Sequence, residues 1–304
     1  RPVFICSGQM EHDWRRSGDV HTYYGAIWTA RYTDIYRHNS RLNTEFGFEA
    51  PAHRTTLQVY PECWERLQHL DGQIETLWAY QAELIRFHVE HFRRLRAEGC
   101  AGYIHFWLTD LVPQVGCGVL DSNRQPKGGY DALRYASQPL SISLEHDGYR
   151  PYALWVFNDT PNSYPDLHIC WIVRDSKGHI AYDGSILFPA GSNTSQRIMS
   201  VDWNPDSCVH IELTLQDSNG DTLAKNRYDN PLNVMERPQG YPWKFDPYLG
   251  CKVFNRSDAL SLADQVTSPL IKAIPLVVRE RLIEWGLRQH FHPWLIRVIS
   301  RLIG

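Results

Sequence analysis

The chain has 304 residues, of which 43% are hydrophobic and 21% charged, values that are ordinary for a globular protein of two domains or three segments. Its 31 basic and 34 acidic residues give a net charge of -3, a balance that gives no support for nucleic-acid binding. No apolar run in the sequence reaches the length of a membrane span.

Residues 1–137 alternate predicted strands with helical segments. The strand candidates are Pro2–Cys6, Asp19–Tyr23, Leu42–Phe46 and Gly102–Leu108. Between the last two strands, apolar residues at helical spacing predict a long helix over Gln73–Glu98, and Gly99 is a typical helix stop. Repeated strand–helix units indicate an α/β fold with a parallel sheet. Four such strands would make half of an eight-stranded barrel.

Residues 138–236 change to short alternating apolar runs. These runs begin at Ile142, Ala153, Leu167, Ser185 and Cys208. Turn-forming segments such as Asp175–Gly178 and Asp217–Gly220 separate them. The spacing predicts an all-β domain, an antiparallel sandwich of immunoglobulin-like type.

Residues 237–304 are predicted to form a linker and a helical tail. The two helix candidates are Leu276–His290 and Pro293–Ile303. The last helix has an apolar face with arginines opposite, which favours docking on its own protein or on a partner. Contact with a membrane surface is the alternative for such a basic amphipathic helix.

The seven cysteines show no metal-ligand spacing, so most are predicted to be reduced core thiols. Cys170 and Cys208 both lie in the strand-rich region, and their sequence positions leave open whether they face each other. The 11 tryptophans fit either a large core or stacking on the apolar faces of sugar rings.

Three consecutive predicted strands end in polar and aromatic residues. The second strand supplies His21 and Tyr23, the third supplies Glu45, and the fourth supplies Trp107 and Asp110. Taken alone, the local string favours a structural role for Glu45, as a cap of the next helix or as one side of a surface ion pair. Because the strand ends of a barrel converge on one mouth, however, these side chains are predicted to lie together in a functional pocket.

Several strings resemble the C-terminal part of family 2 glycoside hydrolases, nearest the β-mannosidase branch: Gly18–Tyr23, Thr44–Phe48, Gly102–Asp110 and Lys127–Tyr135. The resemblance covers about residues 1–145. It implies that the four strands are strands five to eight of a TIM (β/α)8 barrel, followed by an immunoglobulin-like domain. The activity it implies is that of a retaining exo-β-glycosidase acting on terminal β-linked sugars, with no metal or organic cofactor.

The resemblance also implies roles for single residues. It places Glu45 at the position of the catalytic nucleophile, with Glu49 in the following loop as a weaker rival. Trp107 would form an aromatic wall of the subsite that holds the cleaved sugar. The candidates for contacts to sugar hydroxyls are His21, Tyr23 and Asp110.

One departure from the family concerns the acid/base. In the family this residue is a Glu preceded by Asn at the end of strand four, and this chain contains no Asn-Glu dipeptide. We therefore expect the acid/base upstream of Arg1, so the expected partners are a carbohydrate substrate and the missing N-terminal half of the enzyme.

Two questions stay open at this point. A non-catalytic carbohydrate-binding or scaffolding protein derived from a glycosidase is the alternative to an enzyme. The sugar is also undecided, because β-galactosidase, β-glucuronidase and glucosaminidase relatives share the barrel and the nucleophile.

Overall fold

The computed structural model describes residues 20–26 and 31–236. The chain divides into two compact units, Arg1–Pro238 and Gln239–Gly304, and the described residues all belong to the first. The predicted strand Pro2–Cys6 and the two predicted tail helices lie outside the described residues. In the described ranges no helix combines the length and the apolar character needed to cross a membrane.

A small parallel sheet and the helices around it form the first part of the described chain. The elements are β1 (Val20–His21), β2 (Asn43–Phe46), β3 (Ala50–Pro51), α1 (Arg54–Gln58), α2 (Pro61–Leu67), α3 (Ile74–Arg94), β4 (Tyr103–His105), β5 (Val115–Gly116) and α4 (Gly128–Ala136). The parallel sheet has the order β1-β2-β4, and β3 pairs antiparallel with β5. The predicted parallel sheet is confirmed, whereas its assignment to a barrel stays a prediction.

Both β1 and β4 are shorter than the strands predicted from the sequence. After His21 the chain bends into a turn, where Gly25 adopts a φ of +78° that favours glycine. After His105 the Phe106 amide still donates to the carbonyl of Phe46 at 2.9 Å, but the Trp107 amide donates instead to the carbonyl of Cys117 at 3.4 Å. Apolar composition continues past both points, so it could not indicate where the pairing stops.

Helix α3 is buried on two opposite faces. On one face His88 and Phe92 pack against Phe46 of β2, with ring centroids 5.7 and 5.4 Å apart. On the other face Glu90 and Arg93 bond to residues of the β-rich region. The helix tightens into a 3₁₀ turn at Leu95–Glu98 and stops at Gly99, as predicted, where φ is +100°.

The second part of the described chain consists of two antiparallel sheets. Its strands are β6 (Leu140–His146), β7 (Pro151–Asn158), β8 (Tyr164–Arg174), β9 (Ile180–Ala190), β10 (Thr194–Ser200), β11 (His210–Gln216) and β12 (Thr222–Asp229). The sheet orders are β10-β7-β6 and β12-β11-β8-β9, and buried side chains of both sheets form one core. The antiparallel sheets are as predicted, and the immunoglobulin-like assignment stays a prediction.

The open question about Cys170 and Cys208 is answered by where each side chain lies. Cys208 is buried in the core that the two sheets share, and both cysteines are free thiols. The Cys170 thiol contacts the side-chain oxygen of Gln216 at 3.8 Å. The pair therefore forms no disulfide.

Candidate functional site

The pairing of β1 with β2 brings His21 next to Glu45. The two strands run parallel, and the register places these two residues opposite each other. The His21 Nδ1 lies 3.2 Å from Glu45 Oε2, and both side chains are about one-quarter exposed (26% and 28%). A buried bond from Asn43 Nδ2 to Thr22 Oγ1 (2.7 Å) also joins the two chain segments beside this pair.

Tyr23 holds the same carboxylate oxygen as His21. Its hydroxyl donates to Glu45 Oε2 at 2.7 Å, while its ring is almost fully buried. Burial, and next the bond to the Glu45 carboxylate, raises the pKa of the Tyr23 phenol far above its usual value. The phenol is thus a permanent donor, and no described residue donates a hydrogen bond to Glu45 Oε1. One oxygen of Glu45 is therefore held in place while the carboxylate remains partly open to solvent.

Gly47 allows the end of β4 to approach β2 closely. A Cβ atom at this position would lie 2.5 Å from the carbonyl oxygen of Phe106, so any side chain would force the two strand ends apart. This approach sets the Phe106 ring edge-on to Tyr23, with centroids 6.5 Å apart. Close packing of the two strand ends next to the candidate nucleophile therefore requires the glycine of the Thr-Glu-Phe-Gly-Phe string.

Trp107 follows Phe106, whose ring packs edge-on against Tyr23 of the site. Phe106 and Trp107 are joined by a cis peptide bond, and their rings lie 4.6 Å apart. The Trp107 side chain is half-buried. Its carbonyl oxygen lies 3.0 Å from Nδ1 of His105, whose pKa burial lowers to about 4. A neutral His105 with its proton on Nδ1 donates to this carbonyl and so fixes the backbone of Trp107.

Asp110 faces inward and bonds within the protein. Its Oδ2 pairs with Lys127 Nζ at 2.8 Å, with both side chains 0% exposed, and its Oδ1 accepts the amide hydrogen of Gly118 at 2.8 Å. The same ammonium donates to the carbonyls of Ala50 and Gly116, each at 2.8 Å. Burial raises the pKa of Asp110 and lowers that of Lys127. This pair joins the loop after β4 to the β3–β5 ladder.

Sequence reasoning missed Lys127 as part of this arrangement. Lys127 stands directly before the Gly128–Gly129 start of α4, a position that gives no signal of burial. Its partner lies 17 residues earlier in the chain, so only the tertiary fold reveals the pair. Glu49, the rival carboxylate, is half-buried and lies near enough to Tyr23 and Cys117 for its charge to raise the pKa of both.

The site is therefore a partly open carboxylate held by a neutral phenol and an imidazole, with aromatic rings beside it. Such a carboxylate is suited to act as a nucleophile or to stabilise a positive charge. Within residues 20–26 and 31–236, no group of three or more His, Cys, Asp or Glu side chains is arranged to hold a metal ion.

Solved structures of two enzymes are similar in fold to this chain over part of their length. A β-D-mannosidase from Dictyoglomus thermophilum matches with a TM-score of 0.60 and 17% identity, over 73% of this chain and 32% of that one. The exo-chitosanase CsxA from Amycolatopsis orientalis matches with a TM-score of 0.56 and 14% identity, over 70% of this chain and 30% of that one. No family model and no curated protein matches the sequence.

The structural matches establish a distant similarity of fold to exo-acting glycosidases. The chain spans about a third of the length of the structures it matches.

Proposed function

We propose that this chain is the nucleophile-bearing part of a retaining exo-β-glycosidase of β-mannosidase type. The observation that carries the proposal is the Glu45 carboxylate, whose Oε2 is held by Tyr23 at 2.7 Å and by His21 at 3.2 Å, within a fold similar to exo-acting glycosidases. The sequence resemblance to family 2 glycoside hydrolases supports the same assignment.

In this mechanism Glu45 attacks the anomeric carbon of the terminal sugar and forms a glycosyl-enzyme, which water then hydrolyses. A second carboxyl group protonates the leaving oxygen and later activates the water, and in retaining enzymes the two groups lie about 5–5.5 Å apart. The bonds to Oε2 leave the other oxygen to attack. They also limit rotation of the carboxylate, so less conformational freedom is lost when the substrate arrives.

The neighbouring residues have proposed roles that follow from their geometry. His21 and Tyr23 lie where they can contact a sugar hydroxyl as well as the nucleophile, and Trp107 provides an aromatic face. For Asp110 we propose a positioning role instead of the sugar contact expected from the sequence. Both of its oxygens already bond to Lys127 and Gly118 inside the fold.

The acid/base and the rest of the active site are proposed to come from the missing N-terminal half. The edge of β4 supports this proposal, because no described strand pairs with it on the side away from β2. Ile104 in β4 is 56% exposed, as expected for a strand that another element covers. Co-expression with an N-terminal barrel half of a β-mannosidase should give a stable complex, and failure of the two parts to associate would count against it.

A covalent label tests the role of Glu45 directly, in the complex with the N-terminal barrel half that is proposed to supply the rest of the sugar site. An activated 2-deoxy-2-fluoro-β-mannoside carries a leaving group that needs no acid, so it should mannosylate the nucleophile even without the acid/base. Peptide mass analysis should place the label on Glu45, and Glu45→Gln should abolish labelling while the matched variant Glu49→Gln keeps it. Labelling of Glu49 instead, or equal labelling of both variants, would remove Glu45 from the role.

Turnover in the complemented enzyme gives a second test. Loss of the nucleophile should lower kcat for aryl β-mannoside by roughly 10⁴–10⁶-fold. In Glu45→Ala, added azide should restore turnover and give the α-glycosyl azide, since the anion then attacks from the face that the carboxylate has left. A panel of aryl β-mannoside, β-glucosaminide, β-galactoside and β-glucuronide decides the sugar.

A non-catalytic carbohydrate-binding protein is the second candidate. The absence of an Asn-Glu dipeptide from the sequence favours it, because the acid/base of the resembled family is then not supplied by this chain. In that case a β-mannoside would bind near Trp107 with no covalent labelling of any carboxylate.

A further inference from the structure

A cavity lies between the helices and the antiparallel strands. It has a volume of about 520 Å³ and is bounded by α3 and α4 on one side and by β6, β7, β11 and β12 on the other. This volume is within the range of about 300–1,000 Å³ that small-molecule sites occupy. None of the residues that line it belongs to the candidate active site around Glu45.

The buried charges beside this cavity are already balanced within the protein. Arg86 pairs with Glu83, and its guanidinium lies 4.4 Å from the centre of the Tyr228 ring. The Glu90 carboxylate accepts hydrogen bonds from Tyr228 (2.9 Å) and from Asn226 Nδ2 (3.0 Å). A charged ligand would therefore find no uncompensated buried charge to pair with, and its own desolvation would oppose binding.

Other polar groups in the lining still have hydrogen-bonding capacity. Ser141 accepts a bond from Arg93 at 2.8 Å and keeps its own hydroxyl hydrogen. At the β11–β12 edge Lys225 stands opposite Thr214 and pairs with no acidic group of the described chain. The lining thus offers separate donors and acceptors, with its buried charges compensated and the Lys225 ammonium exposed at the edge.

An aromatic ring is held at the same cavity. The Tyr135 side chain is 53% exposed, yet Arg134 fixes it by donating to its hydroxyl at 2.9 Å and by lying 4.7 Å from the ring centre. Phe157 forms an apolar wall farther in and is 1% exposed. Aromatic surface beside hydrogen-bond donors and acceptors matches the amphipathic faces of a sugar ring.

We propose that this cavity binds a neutral mono- or disaccharide at a site separate from Glu45. The sugar hydroxyls would bond to Ser141, Thr214 and the Lys225 ammonium, and the ring would lie against Tyr135. This assignment does not depend on the reaction proposed for Glu45, because the two sites share no residue.

Binding to the full chain tests the proposal. β-1,4-Mannobiose, N,N′-diacetylchitobiose and the anionic digalacturonate would be titrated by calorimetry and by saturation-transfer NMR. At least one neutral disaccharide should bind. Ala132→Trp, which fills the cavity from α4, should weaken that binding at least tenfold. Glu62→Trp is the matched control at an exposed position of α2, because Glu62 does not line the cavity, and it should bind like the parent.

Further variants keep the result decisive if Ala132→Trp proves unfolded by circular dichroism. Lys225→Met should weaken binding about tenfold, whereas Lys177→Met in an exposed turn should not change it. Trp107→Ala should leave this binding in place, which separates it from binding at the Glu45 site. No binding of either neutral disaccharide, binding of digalacturonate alone, or equal affinities in the cavity variants and their controls would overturn the proposal.

Discussion

Replacing Lys127 by Met should cost this protein more stability than any exposed lysine could. The Lys127 ammonium uses its three hydrogens on Asp110 and on the carbonyls of Ala50 and Gly116, each at 2.8 Å. Both side chains of the ion pair are 0% exposed, so no water replaces the lost donor. Removing one partner of such a pair typically costs about 3–5 kcal/mol, because the remaining charge stays buried.

Urea unfolding followed by circular dichroism measures this loss. The exposed substitution Lys177→Met serves as the control and should stay within about 0.5 kcal/mol of the parent. The double variant Asp110→Leu/Lys127→Met removes both charges and should recover part of the loss, since a buried ion pair is often replaceable by apolar residues. A loss below about 1 kcal/mol in Lys127→Met, or a double variant less stable than the single one, would refute the reasoning.

Three further predictions concern the candidate site and its surroundings. Tyr23→Phe removes a donor to the candidate nucleophile and should lower kcat/KM of the complemented enzyme about tenfold or more, while the exposed control Tyr60→Phe should not; equal rates would contradict the assigned contact. Gly47→Ala places a methyl 2.5 Å from a carbonyl oxygen of the adjoining strand end and should cost about 1–3 kcal/mol in urea unfolding; an unchanged midpoint would show that the strand ends separate freely. Burial lowers the pKa of His88 to about 4, below its unfolded value of about 6.5, so the unfolded chain takes up the proton first and stability should fall as the pH drops from about 6.5 towards 4. His88→Phe should show a shallower decline than the exposed control His69→Gln, and parallel profiles would exclude His88 as a cause.

Local patterns were sufficient for the elements whose signals repeat along the chain. The helical spacing up to Gly99 predicted α3 and its stop, and the alternating runs predicted the antiparallel strands. The order of polar strand ends also anticipated that His21 and Tyr23 would meet Glu45, since parallel neighbours in register present their side chains together. The chemical roles of these residues remain proposals.

Features that depend on distant partners could not be predicted from the sequence. Asp110 forms a buried ion pair with Lys127, which lies 17 residues farther along the chain, and no local pattern indicates that pair. The polar residues of α3 present the same difficulty. Glu90 and Arg93 interrupt its apolar pattern in the way that a solvated face does, although both are buried against β-strands that lie at least 40 residues away in sequence.

The face of α3 that carries Glu90 and Arg93 makes the stability of the helical part depend on the β-rich part. Arg93 alone donates to Ala136, Ser141 and Asp159, and so joins α3 to the end of α4, to β6 and to the loop after β7. A chain cut after residue 137 would expose the Glu90 carboxylate and this guanidinium together, without Tyr228 and Asn226 for the first and with only the Ala136 carbonyl left for the second. The β-rich part is therefore a support that α3 needs, and exchanging it for that of a relative would require exchanging the helix surface with it.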